Sequence, residues 1–114
     1  MAAAKSNMVI EQSATFRLRL VYRDHNKKPI NLAGFSAHMS VRDVNGVLLS
    51  DLTVANGKVV MGGVTGAIDL HIPSTETALL SFVTALYDIA LILPDGTIDR
   101  LLEGKMLLSR GQAQ

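Results

Sequence analysis

The chain has 114 residues, of which 48% are hydrophobic and 18% charged, and its formal net charge is +1. This length fits one domain with one modest core, and so small a charge gives no field that would steer nucleic acid or an anionic membrane to the protein. Cysteine is absent, which excludes disulfides and cysteine-based zinc sites. No apolar run approaches the roughly 20 residues of a membrane helix.

Alternation of apolar and polar residues predicts β-strands along most of the chain. Residues 15–22 place Phe16, Leu18 and Leu20 on one face and two arginines on the other. Residues 35–42 and 68–72 follow the same period, and Met8 to Ile10 could form a short first strand. A helix would instead distribute the polar residues around its circumference.

Turn signals separate these segments. Asn45-Gly46 predicts a tight type I′ turn and Asn56-Gly57 a second hairpin turn, while Gly104 suggests a bulge. Residues 74–80 predict a short helix, with Ser74 as its N-cap, that crosses between two sheets. Frequent turns without strand–helix alternation indicate an antiparallel sandwich or barrel. We expect a flexible arm over residues 1–7, the β-domain over 8–110 and a flexible tail over 111–114.

No constellation of side chains predicts a reaction. His38 and His71 could approach each other beside Asp69 and bind a metal, but the spacing matches no ligand motif, and His25 lies in a turn. Asp95 and Asp99 flank a turn that favours Asp for backbone reasons. The glycines of residues 62–66 precede a strand and not the helix of a phosphate loop. We therefore assign no catalytic, metal or cofactor residue and expect no enzyme; a metal-dependent hydrolase is the less favoured alternative.

Surface apolarity is the remaining signal. Residues 86–104 read as strand, Pro-Asp-Gly turn and strand, and residues 90–93, like 47–49 and 106–108, offer apolar side chains to both sides of a strand. Either another subunit or the domain's own loops and helix must cover the outer side, and we favour assembly because each buried Leu or Ile contributes about 1.5–3 kcal/mol. The candidate assembly surface comprises Val47, Leu49, Leu91, Ile92, Leu107 and Leu108, with Arg17 and Arg19 as candidates for intersubunit salt bridges.

The order of several motifs resembles a β-sandwich module of tailed-phage structural proteins, known from the N-terminal domain of upper baseplate proteins and from tail accessory proteins. The resemblance covers about Ile10 to Arg110. Its motifs are Thr15-Phe-Arg-Leu-Arg-Leu20, residues 29–39, the strand-Pro-helix step of residues 68–79, and Tyr87-Asp88 followed by Pro94-Asp-Gly96 and Leu101-Leu-Glu-Gly104.

This resemblance implies an all-β, immunoglobulin-like antiparallel β-sandwich of about seven or eight strands with one short helix. It also implies a phage virion structural protein, present in multiple copies in the tail, baseplate, neck or capsid. The implied partners are other virion proteins and the chain itself as a homo-oligomer or ring, with no nucleic acid, membrane or cofactor. The implied location is the virion, after synthesis in the host bacterial cytoplasm. A module that binds host-surface carbohydrate or a receptor is the alternative, with Tyr22 and Tyr87 as the only tyrosines and no tryptophan to supply a sugar platform.

Overall fold

The protein consists of two β-sheets stacked face to face. The structure is a computed structural model, and it describes residues 4–110. The strands are β1 (Ala4–Lys5), β2 (Met8–Glu11), β3 (Phe16–Val21), β4 (Ser36–Arg42), β5 (Leu48–Thr53), β6 (Val59–Met61), β7 (Ala67–Ile72), β8 (Thr84–Ile92) and β9 (Ile98–Ser109). A 3₁₀ turn (Gly63–Thr65) and one short helix, α1 (Ser74–Thr77), lie between strands. The predicted all-β sandwich is therefore confirmed.

The larger sheet is built around the β8–β9 hairpin. Its strand order is β1-β9-β8-β4-β5, and β2 also pairs with β9. The pairs within this sheet are antiparallel except at one edge, where β1 and β2 run parallel to β9. The N-terminal segment thus forms an edge of this sheet.

The smaller sheet has the order β3-β7-β6, with both pairs antiparallel. The turn that contains Asn56-Gly57 does not close a hairpin, because β5 and β6 lie in different sheets. The helix α1 joins β7 of the smaller sheet to β8 of the larger one. The predicted hairpin there is wrong, and the predicted crossing by the helix is confirmed.

The core lies between the sheets and follows the predicted alternation. Every second residue of β4, β7 and β8 points inward, with an exposed fraction of 3% or less. These residues are Ala37, Met39 and Val41 from β4, Ile68, Leu70 and Ile72 from β7, and Ala85, Tyr87, Ile89 and Leu91 from β8. Period-two alternation fixed these sets because one face of each strand meets the other sheet.

Several local predictions differ from the structure. Asn45 does not take the positive φ of a type I′ turn; only Gly46 does, at 86°. Pro73 and not Ser74 occupies the N-cap of α1, with no side-chain cap bond. Residues 98–109 form one continuous strand. The described chain has nine strands, one more than the upper number expected, and two of them, β1 and β2, lie before residue 12.

Gly104 has a different role from the bulge that we expected. The register shift of the hairpin lies between Ile89 and Ala90. A Cβ on Gly104 would instead lie 2.0 Å from the Ser6 carbonyl oxygen. The N-terminal segment crosses directly over this glycine, so Ala4 and Lys5 form a strand where we predicted a flexible arm. Residues 1–3 and the predicted tail over 111–114 lie outside the described residues.

Candidate functional site

Several polar side chains lie on the outer face of the larger sheet. His38 Nε2 on β4 contacts Asp51 Oδ1 on β5, and Arg100 Nε lies 3.5 Å from Asp88 Oδ2. The His38 and Asp51 side chains are 38% and 42% exposed, so this contact is open to solvent and is not a shielded acid–base dyad. Asp51 was not among the predicted site residues, because only the pairing of β4 with β5 brings it beside His38.

A shallow groove of about 530 Å³ lies beside these groups, toward the turn between β4 and β5. Three cationic and three anionic residues line it: Lys5, Arg42 and Lys105, and Asp43, Asp88 and Glu103. Because the two signs balance, the groove gives no electrostatic preference for an anion or a cation.

One end of the sandwich is apolar at its surface. The turn between β4 and β5 and the segment between α1 and β8 meet there and enclose an open groove of about 680 Å³. Leu79 is 82% exposed, Val83 77% and Val44 71%. Leu86, 47% exposed on β8, lies beside Val44 in the neighbouring groove. We call Val44, Leu79, Val83 and Leu86 the apolar end.

The apolar end continues onto the β8–β9–β2 edge. Leu107 is 43% exposed and lies opposite Thr84, and Val9, 57% exposed, lies opposite Leu107 on β2. Isolated exposed apolar residues are common, but contiguous ones mark interaction sites. Sequence reasoning missed all four members of the apolar end. The sequence did contain one indication of an exposed apolar residue. Leu79 and Leu80 are consecutive, and about one or two helical turns cannot bury both side chains.

The outer face of the smaller sheet is charged. Arg19 on β3 donates two hydrogen bonds to Asp69 on β7, with Nε–Oδ1 at 2.6 Å and Nη2–Oδ2 at 3.1 Å. These contacts raise the pKa of Arg19 above its ordinary value. Arg17 lies opposite His71 in the same pair of strands. The predicted intersubunit role of Arg19 now competes with an ion pair inside the chain.

The structure separates the predicted assembly residues. Leu91 is 0% exposed, so it belongs to the core and is wrong as a surface residue, because β8 turns its odd-numbered side chains inward. Leu49 and Leu108 are half-buried against the core, and Ile92 is half-buried on the outer side of β8. Val47, Leu107, Arg17 and Arg19 are exposed.

The histidine hypothesis is wrong in its geometry. His38 lies on the outer face of the larger sheet, whereas His71 and Asp69 lie on the outer face of the smaller one. The whole sandwich therefore stands between them. Among residues 4–110, no three His, Asp or Glu side chains lie close enough together to hold a metal ion. No helix in that range is long and apolar enough to cross a membrane.

Comparison with known proteins supports the fold. No protein-family model matches the chain, and no curated protein matches it. Among solved structures it is similar to CopC from Methylosinus trichosporium OB3b, with a TM-score of 0.50 and 12% sequence identity. The match covers 91% of this chain and 86% of that chain. At this identity the likeness shows the fold alone, a two-sheet β-sandwich.

The phage resemblance of the sequence motifs is wrong. The solved structure reported above is CopC and not a phage baseplate domain, and no family or curated match supports a phage module. The predicted role in a virion is therefore also wrong, as are the alternative of host-surface binding and the predicted virion location. The motifs consisted of alternating strands and turns. Such patterns recur in many unrelated β-sandwiches, so they do not identify one family.

Proposed function

We propose that this chain is a non-enzymatic protein-interaction module that self-associates through the apolar end. The observation that carries the proposal is the exposure of Leu79, Val83 and Val44 around one groove. None of these side chains can act as an acid, a base or a nucleophile, so the surface offers burial and not chemistry. A second copy is the simplest occupant, because one patch that complements itself suffices for a two-fold dimer.

The energy available at this surface is of the size that association needs. Burying one Val or Leu side chain contributes about 1.5–3 kcal/mol. Four such side chains from each of two copies give about 12–24 kcal/mol before partial burial is taken into account. Association costs about 4–15 kcal/mol in lost freedom. A dimer with these residues at its centre therefore has a favourable balance when most of the apolar end is covered.

Sedimentation velocity over a range of protein concentrations tests the proposal. The unaltered chain should sediment as an assembly at high concentration and as a monomer on dilution. Leu79→Ser removes one buried side chain from each copy, about 3 kcal/mol or more per dimer, which corresponds to a dissociation constant raised about 100-fold.

Matched controls separate this surface from general hydrophobicity. Val44→Ser should weaken association, whereas Val64→Ser should not, although the two valines are 71% and 73% exposed. Val44 lies in the turn between β4 and β5 at the apolar end, and Val64 in the 3₁₀ turn at the opposite end. A chain that stays monomeric at every concentration, or equal effects of the two substitutions, would show the proposal to be incorrect.

A further inference from the structure

The strand β3 forms an open edge of the smaller sheet. Tyr22 N donates to Gly66 O at 2.8 Å, and the antiparallel register continues from this pair along β3 and β7. Hydrogen-bonded residues alternate in such a ladder, so Phe16, Leu18 and Leu20 bond to β7. The N–H and C=O groups of Arg17, Arg19 and Val21 then point away from the sheet. Among the described residues, none of these groups has a backbone partner outside the ladder.

An apolar cleft lies beside the same edge. It has a volume of about 350 Å³ and opens between the two sheets. The cleft is lined from the side of the smaller sheet by Leu20, Val21, Tyr22 and Ile68, and from the larger sheet by Ala4, Leu101, Leu102 and the two charged residues Asp99 and Arg100. The unpaired backbone and the apolar cleft are therefore parts of one surface.

Burial along the smaller sheet shows that the core is incompletely covered here. The inward residues of β7 (Ile68, Leu70 and Ile72) are at most 1% exposed. The inward residues of β3 (Phe16, Leu18 and Leu20) are only half-buried. The larger sheet extends through β9 to the N-terminal edge on this side, whereas the smaller sheet ends at β3. One more strand beside β3 would cover these side chains.

Charge defines the outward side of that missing strand. Arg17 and Arg19 are exposed on the outer face of β3. Asp69 already binds Arg19, while the described residues give Arg17 no carboxylate partner and place His71 opposite it. A second copy of β3 in antiparallel pairing would set arginines against arginines, which is unfavourable. An acidic strand is complementary.

We propose that the β3 edge binds an extended peptide segment of a partner protein by strand addition. In that segment, apolar residues alternate with acidic ones. The peptide backbone bonds to the free groups of Arg17, Arg19 and Val21, as in other cases of β-augmentation. Its apolar side chains enter the cleft beside Leu20, and its acidic side chains lie next to Arg17. This site shares no residue with the apolar end, so it is independent of self-association.

Fluorescence anisotropy with short labelled peptides tests the proposal on the full chain. A peptide in which valine alternates with glutamate should bind, and one in which valine alternates with lysine should not. On binding, the backbone amides of Arg17, Arg19 and Val21 should become protected from hydrogen exchange. Equal affinity for the two peptides, or no binding of the glutamate peptide, would overturn the proposal.

Two substitutions locate the binding on the edge. Val21→Pro removes an N–H group that makes no hydrogen bond within the sheet, and an edge strand tolerates proline at such a position. This substitution should weaken peptide binding about three- to tenfold, as expected for the loss of one hydrogen bond. Arg17→Glu should weaken the glutamate peptide and allow the lysine peptide to bind. Lys105→Glu makes the same change of charge on the exposed face of the other sheet and should leave both affinities unchanged. Circular dichroism checks that each variant is folded.

If Val21→Pro leaves the affinity intact, or if Lys105→Glu reduces it as much as Arg17→Glu, the peptide does not add a strand to β3. Loss of self-association in Leu79→Ser has no bearing on this result, because that variant should bind the glutamate peptide with unchanged affinity.

Discussion

Replacing Gly104 with alanine should loosen the N-terminal segment from the sandwich. The new Cβ would lie 2.0 Å from the Ser6 carbonyl oxygen and 2.8 Å from the Ser6 carbonyl carbon, where ordinary contacts are 3.4–4 Å. Both atoms belong to backbone, so rotation of a side chain cannot relieve the clash. The chain around Ser6 has to move by more than 1 Å, judged from the difference between these distances.

The magnitude follows from the contacts that such a movement breaks. Ser6 N donates to Glu103 O at 2.9 Å, and Tyr87 Oη donates to Ser6 O at 2.6 Å. Two hydrogen bonds at about 0.5–1.5 kcal/mol each give a loss of about 1–3 kcal/mol. The loss should not go much beyond this, because β1 can separate from β9 while Ile10 stays in the core. For a domain of this length, the melting temperature should fall by about 5–15 °C.

Urea unfolding and hydrogen exchange measure the two parts of this prediction. Gly104→Ala should lower the free energy of unfolding and also remove the exchange protection of the Ser6 amide. Gly46→Ala is the control: its Cβ would meet nothing within 4 Å, but its φ is 86°, so it costs only the left-handed backbone strain, about 1–2 kcal/mol. It should leave Ser6 protected. A Gly104→Ala variant with unchanged stability and a protected Ser6 amide would refute the reasoning.

Two further predictions concern buried hydroxyl groups. Thr77 is 0% exposed and its Oγ1 donates to Ala14 O at 2.8 Å, so Thr77→Val should cost about 1–3 kcal/mol by leaving that carbonyl unpaired. Thr75→Val, at an exposed position of the same helix, should change the urea midpoint little; equal midpoints for the two variants would contradict the prediction. Burial raises the pKa of Tyr87 above its ordinary value of 10.0, because the phenolate would lose its solvation. The folded state therefore disfavours the phenolate, and stability present below pH 10.0 should fall as the pH rises through the folded pKa. Tyr87→Phe should remove that part of the fall in alkaline urea titrations, and an identical alkaline dependence in both proteins would count against it.

The functional hypotheses depended on contacts that local sequence does not record. His38 and His71 both alternate onto polar strand faces, but the sequence does not state that their strands belong to different sheets. The likeness to phage modules rested on strand and turn patterns that many sandwiches share. The apolar end escaped notice because Val44 and Leu79 come from separate turns, 35 positions apart in the printed sequence.

Alternation within each strand determined the fold class and most of the core. The sequence alone placed Phe16, Leu18 and Leu20 on one face, and likewise Ala37, Met39 and Val41, because side chains of a strand alternate with a period of two. The hairpin of residues 86–104 was also predictable from the sequence, because the preference of Pro, Asp and Gly for turns depends on local backbone geometry.

Only the tertiary structure decided what each apolar side chain faces. Leu91 is in the core and Ile92 is outside it, although both belong to one apolar run, residues 89–93. The Asn56-Gly57 turn changes sheets, and Ser6 passes over Gly104, because of contacts between residues far apart in the chain. Periodicity is a property of neighbours, whereas burial depends on which distant segment packs against them.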